Sequence, residues 1–385
     1  MQTICENDMC AGCMACAEAC PTKAISILRN AKAYAVEINQ QECIDCERCV
    51  RVCQQLHPAT VRMPTAWYQG WANAYEERRS SSSGGLASAI ARAFVEFGGV
   101  VCSCTFENGI FGFALARTPD EIDQFKGSKY VKSNPYGVYR QVEKLLESNT
   151  KVLFIGLPCQ VSAMRNIVGQ SLEINLYTID LICHGTPDSS VLENFLVQKQ
   201  LTLKGLADVS FRKKARFQLR EGEKNIDVEG VTDCYMTSFL EGLTYTENCY
   251  HCYYAQYARV SDITLGDSWG SELTQEMPDG ISLILVQTGK GAELLRSIDA
   301  TLCSVDQGRA ISNNEQLRRP HARPKSHDKF LFCMQKGMPF NKNIHRCLPK
   351  SCFKQDVKRI LVKIRLWTPS GGGYEVSYFM DDGSI

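Results

Sequence analysis

Two cysteine runs near the N-terminus constrain this chain more than any other feature. The first is Cys10-x-x-Cys13-x-x-Cys16-x-x-x-Cys20-Pro21, and the second is Cys43-x-x-Cys46-x-x-Cys49-x-x-x-Cys53. Thiolates at every third position share a tight loop. Three of them can cap one face of a cubane iron–sulfur cluster, with a distant fourth closing it. Zinc sites and disulfides are the alternatives, but two full copies of one four-cysteine run rarely arise for either purpose. Between the runs lie Ala24–Leu28 and Tyr34–Ile38, separated by Asn30-Ala31-Lys32. That pattern predicts strand, turn, strand, and the two halves read as one internal repeat.

The spacing resembles that of the bacterial two-cluster ferredoxins, in which the fourth cysteine of each run serves the other cluster. The resemblance implies one 4Fe–4S cluster on Cys10, Cys13, Cys16 and Cys53, and a second on Cys43, Cys46, Cys49 and Cys20. It also implies single-electron transfer by a module spanning residues 1–62.

At 385 residues the chain is too long for a ferredoxin alone, so further domains follow. A net charge of +1 points to neither nucleic acid nor an anionic surface. The opening Met1-Gln2-Thr3-Ile4 has no basic, then apolar, leader character, and cluster thiolates need a reducing compartment, so the expected location is the cytoplasm. No apolar run approaches the length of a membrane span.

Beyond a connector at Pro58–Pro64, Arg78–Gly85 forms a small-residue loop rich in serine ahead of a helical stretch, Leu86–Phe94. Such a loop either caps the helix or offers backbone N–H groups to a phosphate. Lys151–Gly156 and Ile174–Cys183 read as buried strands ending in Pro158-Cys159-Gln160 and Cys183-His184-Gly185. Alternation with helices predicts a partly parallel α/β sheet, whose strand ends are where ligands bind. The basic run Arg212–Arg216 reads first as a solvated face and second as an anion site. Lys358–Trp367 reads as a docked terminal element. The expected units are residues 1–62, 67–148, 149–330 and a C-terminal extension, 331–385. The expected class is α+β or α/β multidomain, a two-cluster ferredoxin-like module followed by a mixed-sheet domain.

Cys159, Cys183, Cys249 and Cys252 each sit in a tight loop and together could supply four thiolates; spacing alone leaves zinc and a redox dithiol open. Ser83-Gly84-Gly85, Gly127-Ser128-Lys129-Tyr130, Gly156–Gln160, Cys183-His184-Gly185, Cys249-x-x-Cys252 and Ser261–Asp267 occur in one order. Over residues 67–330 these stretches resemble the beta subunit of the coenzyme F-420 (8-hydroxy-5-deazaflavin) hydrogenases and dehydrogenases. The resemblance implies a third 4Fe–4S cluster on the four cysteines, beside FAD. It also implies FAD contacts from Ser82, Ser83, Gly84, Gly85, Gly127, Ser128, Lys129 and Tyr130. Lys129 would neutralise the pyrophosphate, and Asp262, Gly266 and Asp267 would approach ribityl or ribose hydroxyls, with turn and cap duty the alternative for the two acids. His184 and Arg259 are candidate catalytic groups, His184 alternatively a structural histidine.

No Gly-x-Gly-x-x-Gly follows a strand, so a nicotinamide fingerprint is missing. The reading that results is an iron–sulfur flavoprotein oxidoreductase. It exchanges electrons with a ferredoxin-type partner and acts on an organic substrate or on deazaflavin. The rivals are a purely electron-transferring component of a larger complex and a zinc-bearing module.

Overall fold

The structure, a computed structural model, describes residues 3–6 and 8–366. It is built around a mixed eight-stranded sheet with a two-stranded hairpin and a three-stranded sheet beside it. The hairpin pairs β1 (Ile25–Arg29) with β2 (Tyr34–Ile38) in antiparallel register, as the sequence predicts.

The large sheet contains β3 (Ala66–Ala72), β4 (Val100–Glu107), β5 (Ile110–Ala116), β6 (Val152–Gly156) and β7 (Leu176–Leu181). The three-stranded sheet is β8 (Ser210–Lys213), β9 (Arg216–Glu221) and β10 (Lys224–Asn225); β11 (Ile263–Asp267), β12 (Ser282–Val286) and β13 (Ala300–Ser304) complete the large one. Its order is β13-β3-β12-β11-β7-β6-β4-β5, with β4, β6, β7 and β11 parallel and the remaining pairs antiparallel. Every residue of β6 is buried because helices cover both faces, which is why Val152–Gly156 reads as an unbroken apolar run. Leu153 and Ile155 meet the helix Leu86–Glu96 on one face, while Val152 and Phe154 meet the helices Val138–Glu147 and Pro158–Leu172 on the other.

The stretches 67–148 and 149–330, expected as separate units, are not separate in the sheet. β3 lies between β12 and β13, so one hydrogen-bonded layer joins them. The C-terminal element is the helix Pro349–Lys363, longer and earlier than the expected Lys358–Trp367; Trp367 lies outside the described residues.

The N-terminal module is bolted to this body by buried polar contacts. Glu18 accepts from the backbone N–H groups of Gly137 (2.8 Å) and Arg140 (2.7 Å), capping the helix Val138–Glu147, which has no side-chain cap of its own. Tyr34 donates to Asp188, and Tyr139 donates to the Cys13 carbonyl, both at 2.9 Å. Glu18→Ala strips this cap and its charge from a helix N-terminus. It is expected to cost about 2 kcal/mol, read as an earlier denaturant midpoint of the whole chain.

Candidate functional site

The two cysteine runs fold alike. Gly12 and Asp45, and then Met14 and Glu47, take positive φ at matching positions, and each run enters a one-turn helix, Ala15–Ala19 or Arg48–Val52. Cys10, Cys13, Cys16 and Cys53 line one small buried cavity, the grouping that the ferredoxin rule assigns to one cluster. Cys49 lies close to Cys20 and Cys46, members of the other group. The groups differ in depth: the first is buried, whereas Cys43, Cys46 and Cys49 are partly exposed beside the exposed side chain of Ile44. Cys5 carries no signal in the sequence because it stands outside the repeat. Its thiol bonds to Cys10 and Cys53, and its hydrogen bond draws the pKa of Cys53 down to about 6.

The third group converges as well. Cys159, Cys183, Cys249 and Cys252 line one crevice, together with Ala11 and Gln54 of the N-terminal module. Local chemistry sets their positions. Gln160 reaches back to accept from the Leu157 N–H (2.9 Å) and donates to Ser133, so it closes the helix start that presents Cys159. Gly185, at φ 132°, lets the chain after Cys183 cross the Tyr245 ring, which a Cβ would meet at 2.4 Å. Burial, then the neighbouring Cys249 and Cys159, push the pKa of Cys252 up to about 12 and that of Cys183 higher still. A cation offsets that crowding. Lys132 is buried with Nζ 3.4 Å from Cys159 Sγ. Burial opposes its charge, but Cys159, Cys249, Cys183 and Cys13 outweigh burial and hold the ammonium above its ordinary range. A lone lysine between Val131 and Ser133 belongs to no motif, so nothing in the sequence points to Lys132.

A cavity of about 290 Å³ opens at the C-terminal ends of β6, β7 and β11. Ser82, Ser83, Gly85, Gly127, Ser128, Lys129, Tyr130, Gly266 and Asp267 all border it, as does His184. Gly85, at φ 84°, starts the helix Leu86–Glu96 without a side-chain cap, leaving its N-terminus directed at the cavity loop.

Several expectations need correction. Gly84 does not line the cavity; it is wedged against the Gly70 carbonyl and Ser282. Lys129 spends its ammonium on the carbonyls of Phe125, Lys126 and Gly127, and burial lowers its pKa. Asp262 is buried away from the cavity, accepting from Thr178 N–H, Thr178 Oγ1 and Thr288 Oγ1, the turn and cap duty of the alternative. Arg259 is buried beside the third cysteine group. It donates to the Tyr254 and Leu181 carbonyls and pairs with Asp180 at 3.3 Å, which makes it a scaffold for that crevice. Burial pulls the pKa of His184 down to about 4, so its imidazole is neutral near pH 7.

The basic run is the largest departure from a solvated face. Arg212 is buried, forks onto both oxygens of Asp267 (2.7 and 3.0 Å), and donates to the Ser82 carbonyl and Tyr130 hydroxyl. Its guanidinium lies over Phe217 and Trp269. Lys214 reaches the Arg78 and Ser83 carbonyls. Two of the five residues thus pin the serine–glycine loop.

Residues 67–137 match the N-terminal part, and residues 149–307 the C-terminal part, of the beta subunit of the coenzyme F420 hydrogenase/dehydrogenase family. The chain belongs to that family. Residues 9–55 match a 4Fe-4S dicluster domain, so 4Fe–4S clusters are carried ahead of the family region. The chain is similar to the F subunit of the F(420)H(2) dehydrogenase of Methanosarcina mazei, at 23% identity over 303 residues, 74% of this chain and 81% of the relative. A chain of the F420-reducing NiFe hydrogenase complex from Methanosarcina barkeri aligns with 74% of this chain and 93% of its own at 16% identity, with a TM-score of 0.43, too slight a likeness to argue from. No helix among the described residues is long and apolar enough to cross a membrane.

Proposed function

We propose that this chain is an iron–sulfur flavoprotein oxidoreductase. In this reading the N-terminal clusters exchange single electrons with a ferredoxin-type partner. A third 4Fe–4S cluster, held by Cys159, Cys183, Cys249 and Cys252, connects them to FAD in the strand-end cavity, where an organic substrate docks. The observation that carries this reading is a shared wall: Cys183 and His184 border both the third cysteine crevice and the cavity. On its other side the crevice touches the N-terminal module, where Cys13 feels Cys159. The cysteine groups therefore follow one another from the surface inward.

The cavity residues fit FAD. An uncapped helix N-terminus and the loop Ser81–Ser83 suit a diphosphate, while Tyr130, Phe239 and Trp269 offer flat apolar walls. When bound, FAD supplies the exchange between single electrons and electron pairs. The chain's own part is to hold the loop through Arg212 and Lys214, to exclude water with the aromatic walls, and to keep His184 as a neutral hydrogen-bonding group.

Family membership favours a second, narrower reading. The organic substrate is then coenzyme F420 itself, and the chain works as one component of a larger assembly, as the named relatives do.

An anaerobic preparation is expected to hold about twelve iron atoms and one extractable FAD per chain, since each cubane carries about four iron atoms. About eight iron atoms, with zinc bound by four sulfurs, would replace the third cluster by zinc. If the reduced flavin reoxidises with F420 only after a partner protein is added, the chain is a relay. Reoxidation by F420 with the isolated chain supports the narrower reading.

Lys132 should tune the third cluster. Lys132→Met removes a buried positive charge beside Cys159, and the reduction potential of that cluster is expected to fall by on the order of 100 mV, read by redox-poised EPR.

A further inference from the structure

Outside the clusters and the cavity, the C-terminal extension meets the body at a second set of metal-type ligands. Cys234 opens the helix Cys234–Leu240, His345 lies in the last turn of the helix Phe340–Cys347, and Cys352 lies on Pro349–Lys363. The ligand atoms of these three residues all fall within 4.8 Å of one another. Cys234 and Cys352 are buried, and His345 reaches the edge of the group from the surface. Asp356, one turn after Cys352 on the same helix, places Oδ2 2.9 Å from His345 Nε2, while its other oxygen holds Arg359.

We propose that Cys234, His345 and Cys352, with Asp356 as fourth ligand, form a zinc site that fastens the two C-terminal helices to the body. Two thiols, an imidazole and a carboxylate are zinc's preferred donors, and structural zinc is four-coordinate and tetrahedral. With Zn–S near 2.3 Å and Zn–N near 2.0 Å, tetrahedral ligands stand about 3.3–3.8 Å apart, so closing Cys234, His345 and Cys352 onto an ion needs only small side-chain shifts, while Asp356, outside that trio, has to turn in from His345. Asp356 Oδ2 and His345 Nε2 already stand close to ligand spacing.

The imidazole is also oriented for the task. Its Nδ1 faces the Asn341 carbonyl at 2.7 Å, the outer hydrogen bond by which ligating histidines present the other nitrogen. The two thiols already stand in hydrogen-bonding contact with each other. Zinc uptake replaces the thiol protons and any proton on Nε2, releasing them to solvent. Two buried cysteines alone would be ordinary small hydrophobes. Core packing does not call for a histidine edge brought against two buried thiols. His345 and Cys352 lie beyond the matched family region, which ends at residue 307.

The test is zinc and iron analysis with zinc-edge X-ray absorption on the anaerobically purified full chain. About one zinc per chain with about two sulfurs near 2.3 Å and the remaining ligands near 2.0–2.1 Å is expected. The double variant C234S/C352S should lose that zinc and keep its iron. His345→Gln, at a partly exposed position less prone to unfold the chain, should weaken zinc at least about tenfold in competition with a chelator. Three results overturn the proposal. One is zinc bound by four sulfurs, which assigns the metal to the Cys159 group. Another is no zinc and no uptake of added zinc that depends on these residues. The last is a Cys234–Cys352 disulfide in anaerobic material.

Discussion

Cys159→Ser is expected to remove one cluster and nothing else: iron falls from about twelve to about eight atoms per chain, while the N-terminal cluster signals persist. The expectation follows from position. Cys159 is held by the Gln160-capped start of Pro158–Leu172, the body's structured link in the crevice that also contains Ala11 and Gln54. Without its thiolate the crevice keeps three ligands for a site that needs four. Electrons loaded by dithionite at the exposed N-terminal group should then stop before the cavity, so bound flavin stays oxidised while the N-terminal clusters are reduced. Iron analysis and visible spectra read both outcomes. Unchanged iron content would place the third cluster elsewhere or remove it from the chain.

Arg212→Ala should produce the largest loss in the cavity. The substitution deletes the fork onto Asp267 and the donors to Ser82 and Tyr130, and leaves a partly buried carboxylate without its partner. Breaking one side of a buried pair costs about 3–5 kcal/mol; solvent reaches Asp267, so about 3 is expected here. Flavin affinity should fall by about a hundredfold, because the loop Ser81–Ser83 is no longer held; each factor of ten is about 1.4 kcal/mol. Lys at this position keeps the charge but not the fork, and should lie between the two. Adding Asp267→Asn to the alanine variant should recover part of the stability but not the flavin, a double-variant comparison that separates the ion pair from the loop. Denaturant melts and flavin fluorescence titration give the two numbers.

The legible parts of this molecule are the local ones. The cysteine runs, the hairpin of β1 and β2, the apolar run of β6 and the Pro158-Cys159-Gln160 turn each depend on residues close in sequence, and spacing alone predicts them. The cavity border from Ser82 to Tyr130 is accessible through family resemblance. What stays hidden depends on distant pairing. Arg212 reads as one cation in a basic run until β8 carries it under Asp267, and Asp262 reads as either a cofactor ligand or a turn acid until its place just ahead of β11 brings it against Thr178. Lys132 gains its meaning only where four separated stretches bring sulfur around it. The sheet crosses the division at residue 148 for the same reason: a strand from residues 66–72 completes a layer whose neighbours come more than two hundred positions later.

That late completion sets an order of assembly on the ribosome. The N-terminal runs and their hairpin are contiguous, so their cluster ligands are all available once residue 53 has emerged. The cysteines at 159, 183, 249 and 252 converge only after most of the chain is made, and β3 waits unpaired until β12 and β13 arrive to flank it. On the reading proposed above, iron delivery would then be a two-stage process: the outer wire loaded during synthesis, and the inner junction only at its end.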